Sequence, residues 1–467
     1  MSCDYSLIGV LDSNKNMGIG GWMEDGARPV FTSSAIRYPA SLFEKHPKMR
    51  PIRQIIEFFL QKKWLGILLI LGLAWGVGIS TFYRGAISPR QRTDLTVFLK
   101  AGEMVAEGRA NHIYGIENAR HWHYVYPPLM AILLAPVSKW PLAATVGLAF
   151  CLSLACFVGT AMLSRRLPEN ARPAPWQIVL AMIFCLPIFL STITRGQFGI
   201  ITLFFMTTIF YNYLAGRKVL SGLLFAFAVT LKISPLAFLV FFFLMKREWK
   251  ILLSAAAGFA IFFFLFPSTI IGFDTNLALI KTWRGLMSAS QSDTAYQHYL
   301  WGELFTPFAD NRQSLYAVVT RLTWPSPEQF IGHSNALVRF TTSGLGVLLL
   351  GLPFIRTQPL SPRAAKNPLV LLAEFSLFPM IMLFTSPVTQ MHHYTVIYFL
   401  FLAALLLMDR APRGSWARKS LGFSLWTCAL SLTLGMIFSA AGDWGIPLWG
   451  SMLLWGTVLR SIELQKT

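Results

Sequence analysis

The residues with chemical potential in this chain stand where long apolar runs break. Asp94 is a lone acid ahead of a short amphipathic stretch. Arg195 and Gln197 separate two apolar runs, Lys232 interrupts another, and His392-His393 open a later one. A further polar patch runs from Asn311 through Gln313 to Arg321. Ionisable side chains at membrane depth are expensive to place, and so point to function by default. A carboxylate can take a proton, ammonium and guanidinium groups can hold an anion, and imidazoles can meet a phosphate or a metal. Adjacent helical residues point about 100° apart, which makes His392-His393 a poor chelating pair. Each residue also has a plainer reading. Asp94 could be a solvated loop acid, Arg195 and Lys232 could reach for lipid headgroups, and Tyr124 and Tyr126 suit an aromatic belt as well as a substrate wall.

These residues need a scaffold, and composition defines it. The chain has 467 residues, 54% apolar and 13% charged, with 38 Phe. Its mean hydropathy is +0.53. Charged residues are about half as frequent as in soluble proteins. Such a chain cannot cover a globule with polar surface, and disorder, collagen and a disulfide scaffold are excluded as well. An all-α polytopic membrane bundle remains. The net charge of +19 would suggest nucleic acid in a soluble protein. In a membrane protein the distribution of Lys and Arg matters more, and no nucleic acid partner is expected. Four of the five cysteines lie in apolar runs, without zinc or disulfide spacing.

Apolar runs at 64–82, 141–163, 176–193, 198–214, 219–231, 235–245, 250–271, 336–355, 368–385, 394–408, 420–440 and 444–460 predict about 12 transmembrane helices. Two of these runs are short and flank Lys232-Ile233-Ser234-Pro235. Pro235 disfavours helix at the residue before it, so they read as two short spans or one broken one. The run 127–137 is too short to cross and reads as re-entrant or interfacial. With the N-terminus inside, the short inside segments hold about 17 Lys/Arg in 52 residues, against about 13 in 140 outside. That satisfies the positive-inside rule with both termini cytoplasmic. Two long loops, 83–140 and 272–335, then lie outside, and so do all the unusual polar residues. Residues 1–60 read as a poorly ordered cytoplasmic tail without a cleavable signal peptide, and 61–467 as one integral-membrane domain. No repeat relates the two halves.

The loop motifs resemble a known family. Asp94-Leu95-Thr96-Val97-Phe98-Leu99-Lys100-Ala101-Gly102, then Gly108, Tyr114 and Tyr124-Val125-Tyr126-Pro127-Pro128-Leu129, with Leu133-Leu134-Ala135-Pro136 behind, resembles the first outer loop of glycosyltransferase family 87. This family comprises polyprenol-phosphate-mannose-dependent α-mannosyltransferases of the GT-C class. Arg195-Gly196-Gln197 and Lys232-Ile233-Ser234-Pro235 resemble its Gly-Gln and Lys-x-x-Pro elements. Asn311-Arg312-Gln313-Ser314-Leu315 is similar to its Asn-Gln-Ser-Leu element, and Ser386-Pro387 followed by His392-His393 to its Ser-Pro…His-His element. The chain departs from the pattern in three places. Arg312 is inserted, Gly199 stands for an Asn, and the Trp before the His pair is missing, with Gln390 nearby.

The resemblance implies a GT-C membrane bundle in the plasma membrane with an extracytoplasmic active site. It implies transfer of a hexose, mannose as the family expectation, from a polyprenyl-phosphate sugar to a glycan or glycolipid acceptor. Asp94 would be the general base of an inverting displacement. Lys232, His393, His392 and Arg195 would be the groups that stabilise the donor phosphate. Gln197, Tyr126, Asn311 and Gln313 would bind sugar or acceptor hydroxyls. No Asp-x-Asp stands near Asp94, so no metal site and no cofactor are expected, although some GT-C enzymes use a divalent ion. The competing reading is a multi-span transporter or flippase of lipid-linked sugars, which would need a midplane site open to both faces.

Overall fold

A chain this apolar satisfies its backbone polar groups internally, and helices are the local way to do so. The computed structural model describes residues 50–61, 63–88, 93–117, 121–289, 295–324, 326–331, 336–357 and 367–463. Among the described residues there is no strand, and extended pairing is limited to two isolated bridges, Glu117 with His123 and Arg312 with Gln390. Residues 1–49, most of the expected tail, lie outside the described residues. The last part of that tail is helical: α1 (Arg50–Gln61) packs on α2 (Lys63–Phe82) and α6 (Pro175–Thr194).

Every apolar run of the sequence falls on a helix. These are α2, α5 (Leu142–Arg165), α6, α7 (Gly199–Leu214), α8 (Lys218–Leu231), α9 (Ile233–Met245), α10 (Trp249–Ile271), α13 (Ala336–Thr357), α14 (Pro368–Thr385), α15 (Ile397–Arg410), α16 (Trp416–Ile437) and α17 (Ile446–Glu463). Among the described residues, seven helical segments are long and apolar enough to cross a membrane by length and composition. Three of the runs, α7, α8 and α9, form shorter apolar helices. The reason for two of these is local. The backbone leaves the helix at Lys232 (φ −152, ψ 102) and again at Ser234 (ψ 131), the residue ahead of Pro235.

The centre and rim of the bundle are distinguished by burial. Of the membrane-length window in α14, 83% is buried, and for Met391–Arg410 the figure is 94%, against 22% for α5. The rim exposes large apolar side chains such as Trp75, Leu253, Leu337 and Phe340, the surface a lipid solvent requires. In the core, α14 packs on α15, α13 and α17, while α7 packs on α5 and α8.

The two long loops are built rather than loose. The first contains α3 (Leu95–Ala106) and α4 (Pro128–Leu134), and the second contains α11 (Phe273–Ala289) and α12 (Leu315–Thr323). They share an apolar core of Phe98, Ile113, Tyr114, Tyr124, Met130, Leu279, Leu286 and Phe305. Trp283 Nε1 donates to the Val125 carbonyl at 3.2 Å across them. At the other end of the bundle the charges are mostly basic. There Lys218 pairs with Glu248 at 2.7 Å, Lys246 pairs with the fully buried Glu374, and Arg460 lies 4.0 Å from the Trp416 ring centroid.

Candidate active site

Asp94 stands at the N-cap of α3. An Asp there usually accepts from the first helical N–H groups, but this side chain makes no capping bond. Its backbone carbonyl accepts from Val97 N at 3.1 Å instead, which leaves the carboxylate for other work. The loop carrying it is pinned to the turn between α6 and α7. Asp94 N donates to the Arg195 carbonyl at 2.8 Å, and Thr93 Oγ1 donates to the same oxygen at 3.1 Å.

That turn depends on Gly196, whose φ is +66. A Cβ at this position would sit 2.5 Å from Thr93 Oγ1 and 3.0 Å from Leu95 Cβ. Gly196→Ala is therefore expected to destabilise the protein by about 1–3 kcal/mol through backbone strain alone, with the clash added. Thermal unfolding of the detergent-solubilised variant checks this. An unchanged midpoint would mean the turn relaxes freely.

The turn presents Gln197, which is 8% exposed, and its amide joins three site residues. Nε2 donates to Asp94 Oδ2. Oε1 accepts from Lys232 Nζ at 3.2 Å and from the Tyr126 hydroxyl at 3.4 Å. Lys232 occupies the break after α8, at a helix C-terminus that favours a cation, and is 5% exposed. Gln197 thus stands between acid and ammonium. A direct ion pair would lower the basicity of the carboxylate, and the amide spacer avoids it. Burial raises the Asp94 pKa above the usual carboxylate range, opposed by the Gln197 hydrogen bond and by the charges of Arg195 and Lys232. Among the described residues Oδ1 has no hydrogen-bond partner, and the residue is only partly buried.

The two histidines belong to a two-turn 3₁₀ segment, Met391–Val396, that precedes α15. It rests on α7 through Thr395 Oγ1, which donates to the Gly199 carbonyl at 3.0 Å. A Cβ on Gly199 would stand 3.1 Å from the His392 carbonyl and 2.9 Å from Thr192 Cγ2. The absence of a side chain at this departure from the family pattern is what permits the approach. Both imidazoles feel the charge of Lys232, and His392 also that of Arg195. The ring centroids are 4.3 Å apart. The Gln390 N–H donates to His393 Nδ1 at 3.1 Å, so in the neutral ring Nε2 carries the proton. In this geometry His393 presents a neutral N–H donor to the site.

Asn311 and Gln313 have different fates. Met391 N donates to the Asn311 carbonyl at 3.0 Å, and Asn311 Oδ1 is buried without a partner among the described residues. Gln313 has its amide hydrogens taken up by the Asp310 and Gly442 carbonyls at 2.6 and 2.8 Å. It clamps the second loop to the segment before α17 through Nε2, and its Oε1 is buried without a partner among the described residues. Arg321, in the same patch, fills a similar structural role, donating to the Pro307, Arg312, Gly442 and Asp443 carbonyls. No group of three metal-ligating side chains occurs among the described residues.

The chain thus gathers Asp94, Tyr126, Arg195, Gln197, Lys232, His392 and His393 around the break after α8. Residues 124–355 match the family model of glycosyltransferase family 87. That is the family the loop motifs resemble. The family 87 match contains Tyr126, Arg195, Gln197, Lys232, Asn311 and Gln313, while Asp94 and the histidines lie outside it. The chain is also 30% identical over 183 residues to a polyprenol-phosphate-mannose-dependent alpha-(1-2)-phosphatidylinositol mannoside mannosyltransferase of Mycolicibacterium smegmatis. The aligned region is 36% of this chain and 41% of that relative, less than half its length. A search of solved structures returns ArnT from Cupriavidus metallidurans bound to undecaprenyl phosphate, at 13% identity and a TM-score of 0.37, over 86% of this chain and 77% of that one.

Proposed function

We propose that this membrane glycosyltransferase moves a hexose, mannose by family expectation, from a polyprenyl-phosphate sugar to an acceptor hydroxyl at the extracytoplasmic interface. The observation that carries the reading is the Asp94–Gln197–Lys232 relay at the end of a bundle whose sequence matches family 87. The mannosyltransferase relative supports a lipid-linked donor. About 12 membrane crossings of GT-C type, with cytoplasmic termini and the loop face outside, agree with the basic residues gathered at the opposite end.

The chemistry fits the position. The donor lipid lies in the bilayer, so its anomeric carbon is met at the interface. Asp94 takes the proton of the acceptor hydroxyl as the acceptor oxygen bonds to the anomeric carbon. The anomeric C–O bond to phosphate breaks on the opposite face, giving inversion and a polyprenyl monophosphate. Hydrolytic inverting enzymes need a second carboxyl to protonate an alkoxide leaving group. Phosphate departs unprotonated, so one acid suffices. Lys232 and Arg195 stabilise the charge that develops on it, with the two imidazoles as further contacts, and such fixed groups contribute several kcal/mol in a poorly hydrated site. Tyr126 and Asn311 bind sugar hydroxyls. Gln197 orients the base and the lysine.

Activity requires ionised Asp94, and its pKa is raised by burial. The rate is therefore expected to fall as pH drops through a midpoint above the ordinary aspartate value of about 3.9. The acid limb of kcat/KM for the donor measures this, and a limb at or below the ordinary value would separate Asp94 from the rate. Mass spectrometry of cell-envelope glycolipids with and without the gene tests the function itself. One glycolipid is expected to accumulate short of a single hexose. Identical glycan profiles would overturn the assignment.

A further inference from the structure

Behind the histidine pair lies a buried guanidinium that the mechanism above does not use. Arg312 is 0% exposed and belongs to the short extended pairing of residues 311–313 with 389–391. Gln313 N donates to the Thr389 carbonyl at 3.1 Å, Met391 N donates to the Asn311 carbonyl at 3.0 Å, and Arg312 bridges Gln390 between them. Arg312 Nη1 donates to the Val388 carbonyl at 3.0 Å. With the Gln390 amide turned so that its oxygen faces the guanidinium, Oε1 accepts from Nη1 at 3.0 Å and Nη2 at 3.2 Å. The Gln390 N–H is in turn the donor that holds His393 Nδ1. The far side of the segment is closed by Arg321 Nη2, which donates to the Arg312 carbonyl at 2.9 Å, and by the Tyr394 hydroxyl, which donates to the Gln313 carbonyl at 2.6 Å.

We infer that Arg312 is a positioning residue of the transfer reaction. Through Gln390 it fixes the tautomer and direction of His393, so that Nε2–H is presented to the donor phosphate.

The physical argument has two parts. A buried guanidinium forked onto a backbone carbonyl and a side-chain amide holds a planar, two-point geometry that Lys cannot reproduce. It locks the corner from which the Gln390 N–H points. A backbone N–H can only donate, so His393 Nδ1 must stay unprotonated while that bond lasts, and Nε2 must be the donor. The ring then contributes a directed N–H donor, and Arg312 holds the corner that aims it. The fold bonds Arg312 and Gln390 to each other through both the backbone bridge and the side chains.

The inference rests on the transferase reading, so the test first establishes wild-type transfer from a radiolabelled polyprenyl-phosphate sugar. Failure at that stage is failure of the reading itself. A double-mutant cycle of Arg312→Met and His393→Ala then follows, with kcat and donor KM measured separately on folded, monodisperse protein. Acting through His393, Arg312→Met is expected to lower kcat by about 10- to 100-fold, the scale of a misplaced catalytic contact. The same change in the His393→Ala background should cost less than about threefold, because coupled residues are not additive. Arg312→Lys should recover only part of the loss. If Arg312→Met fails to fold, Gln390→Ala replaces it in the same cycle with the same expectation. Equal losses in both backgrounds, or wild-type turnover in the single variant, would overturn the assignment.

Discussion

Asp94→Asn should reduce sugar transfer by about 100-fold or more, the contribution of a positioned general base, with folded yield nearly unchanged. The geometry gives both halves of that expectation. Asn keeps the size of the side chain, and its amide oxygen can still accept from Gln197 Nε2, the partner of Asp94 Oδ2. The helix does not depend on the carboxylate, because the Asp94 side chain makes no capping bond. On this reading the acceptor hydroxyl loses the one carboxylate of the gathered cluster, and its neighbours are poor replacements: Tyr126 is a phenol whose pKa is raised by burial, Lys232 and Arg195 are cations, and His393 Nδ1 is already held by the Gln390 N–H. The measurement is initial rate with a radiolabelled lipid-linked sugar, normalised to folded protein. Near-normal turnover would remove Asp94 as the base.

Lys232→Met should reduce turnover by about 100- to 1,000-fold, in the range seen when a preorganised stabilising group is removed, and more than it reduces folded yield. Met keeps the length and apolar stem of the side chain. Lys232 also donates to Gln197 Oε1, so its loss slackens the amide that aims Asp94 and the effect is not purely electrostatic. The two contributions separate by the steps they affect. A weakened phosphate contact should slow product formation with every acceptor, while a misplaced Gln197 should be mimicked by Gln197→Ala. If yield and turnover of Lys232→Met collapse together, the lysine is a structural group.

Much of this site was legible before any coordinates. Asp94, Arg195, Gln197 and Lys232 stood out because polar residues at breaks in apolar runs have few structural reasons to exist, and the fold brings them within one hydrogen-bonded cluster. The helices were legible for the same reason, since apolar runs of membrane length have one economical conformation. The backbone clamp made by Gln313 was not legible. Its partners, the carbonyls of Asp310 and Gly442, are backbone atoms, and a sequence does not display which carbonyls a fold leaves unpaired. Arg312 was visible only as an irregularity, because its meaning depends on pairing with Gln390, 78 residues later in the chain. The protonation pattern of His393 was hidden too, being fixed by a backbone N–H that exists only once the turn has formed. The left-handed turn at Gly196 does leave a trace in the sequence, since a glycine between two polar residues at a helix junction is a common sign of one.

The most direct test is reconstitution. Purified protein in liposomes is given polyprenyl-phosphate mannose labelled in the sugar, together with glycolipid extracted from the gene-deleted envelope. The account predicts that wild-type protein moves the label to the extract and releases polyprenyl monophosphate, and that Asp94→Asn does neither above background. Equal label transfer by both proteins, or transfer by wild type from a nucleotide sugar with no polyprenyl lipid present, would contradict it.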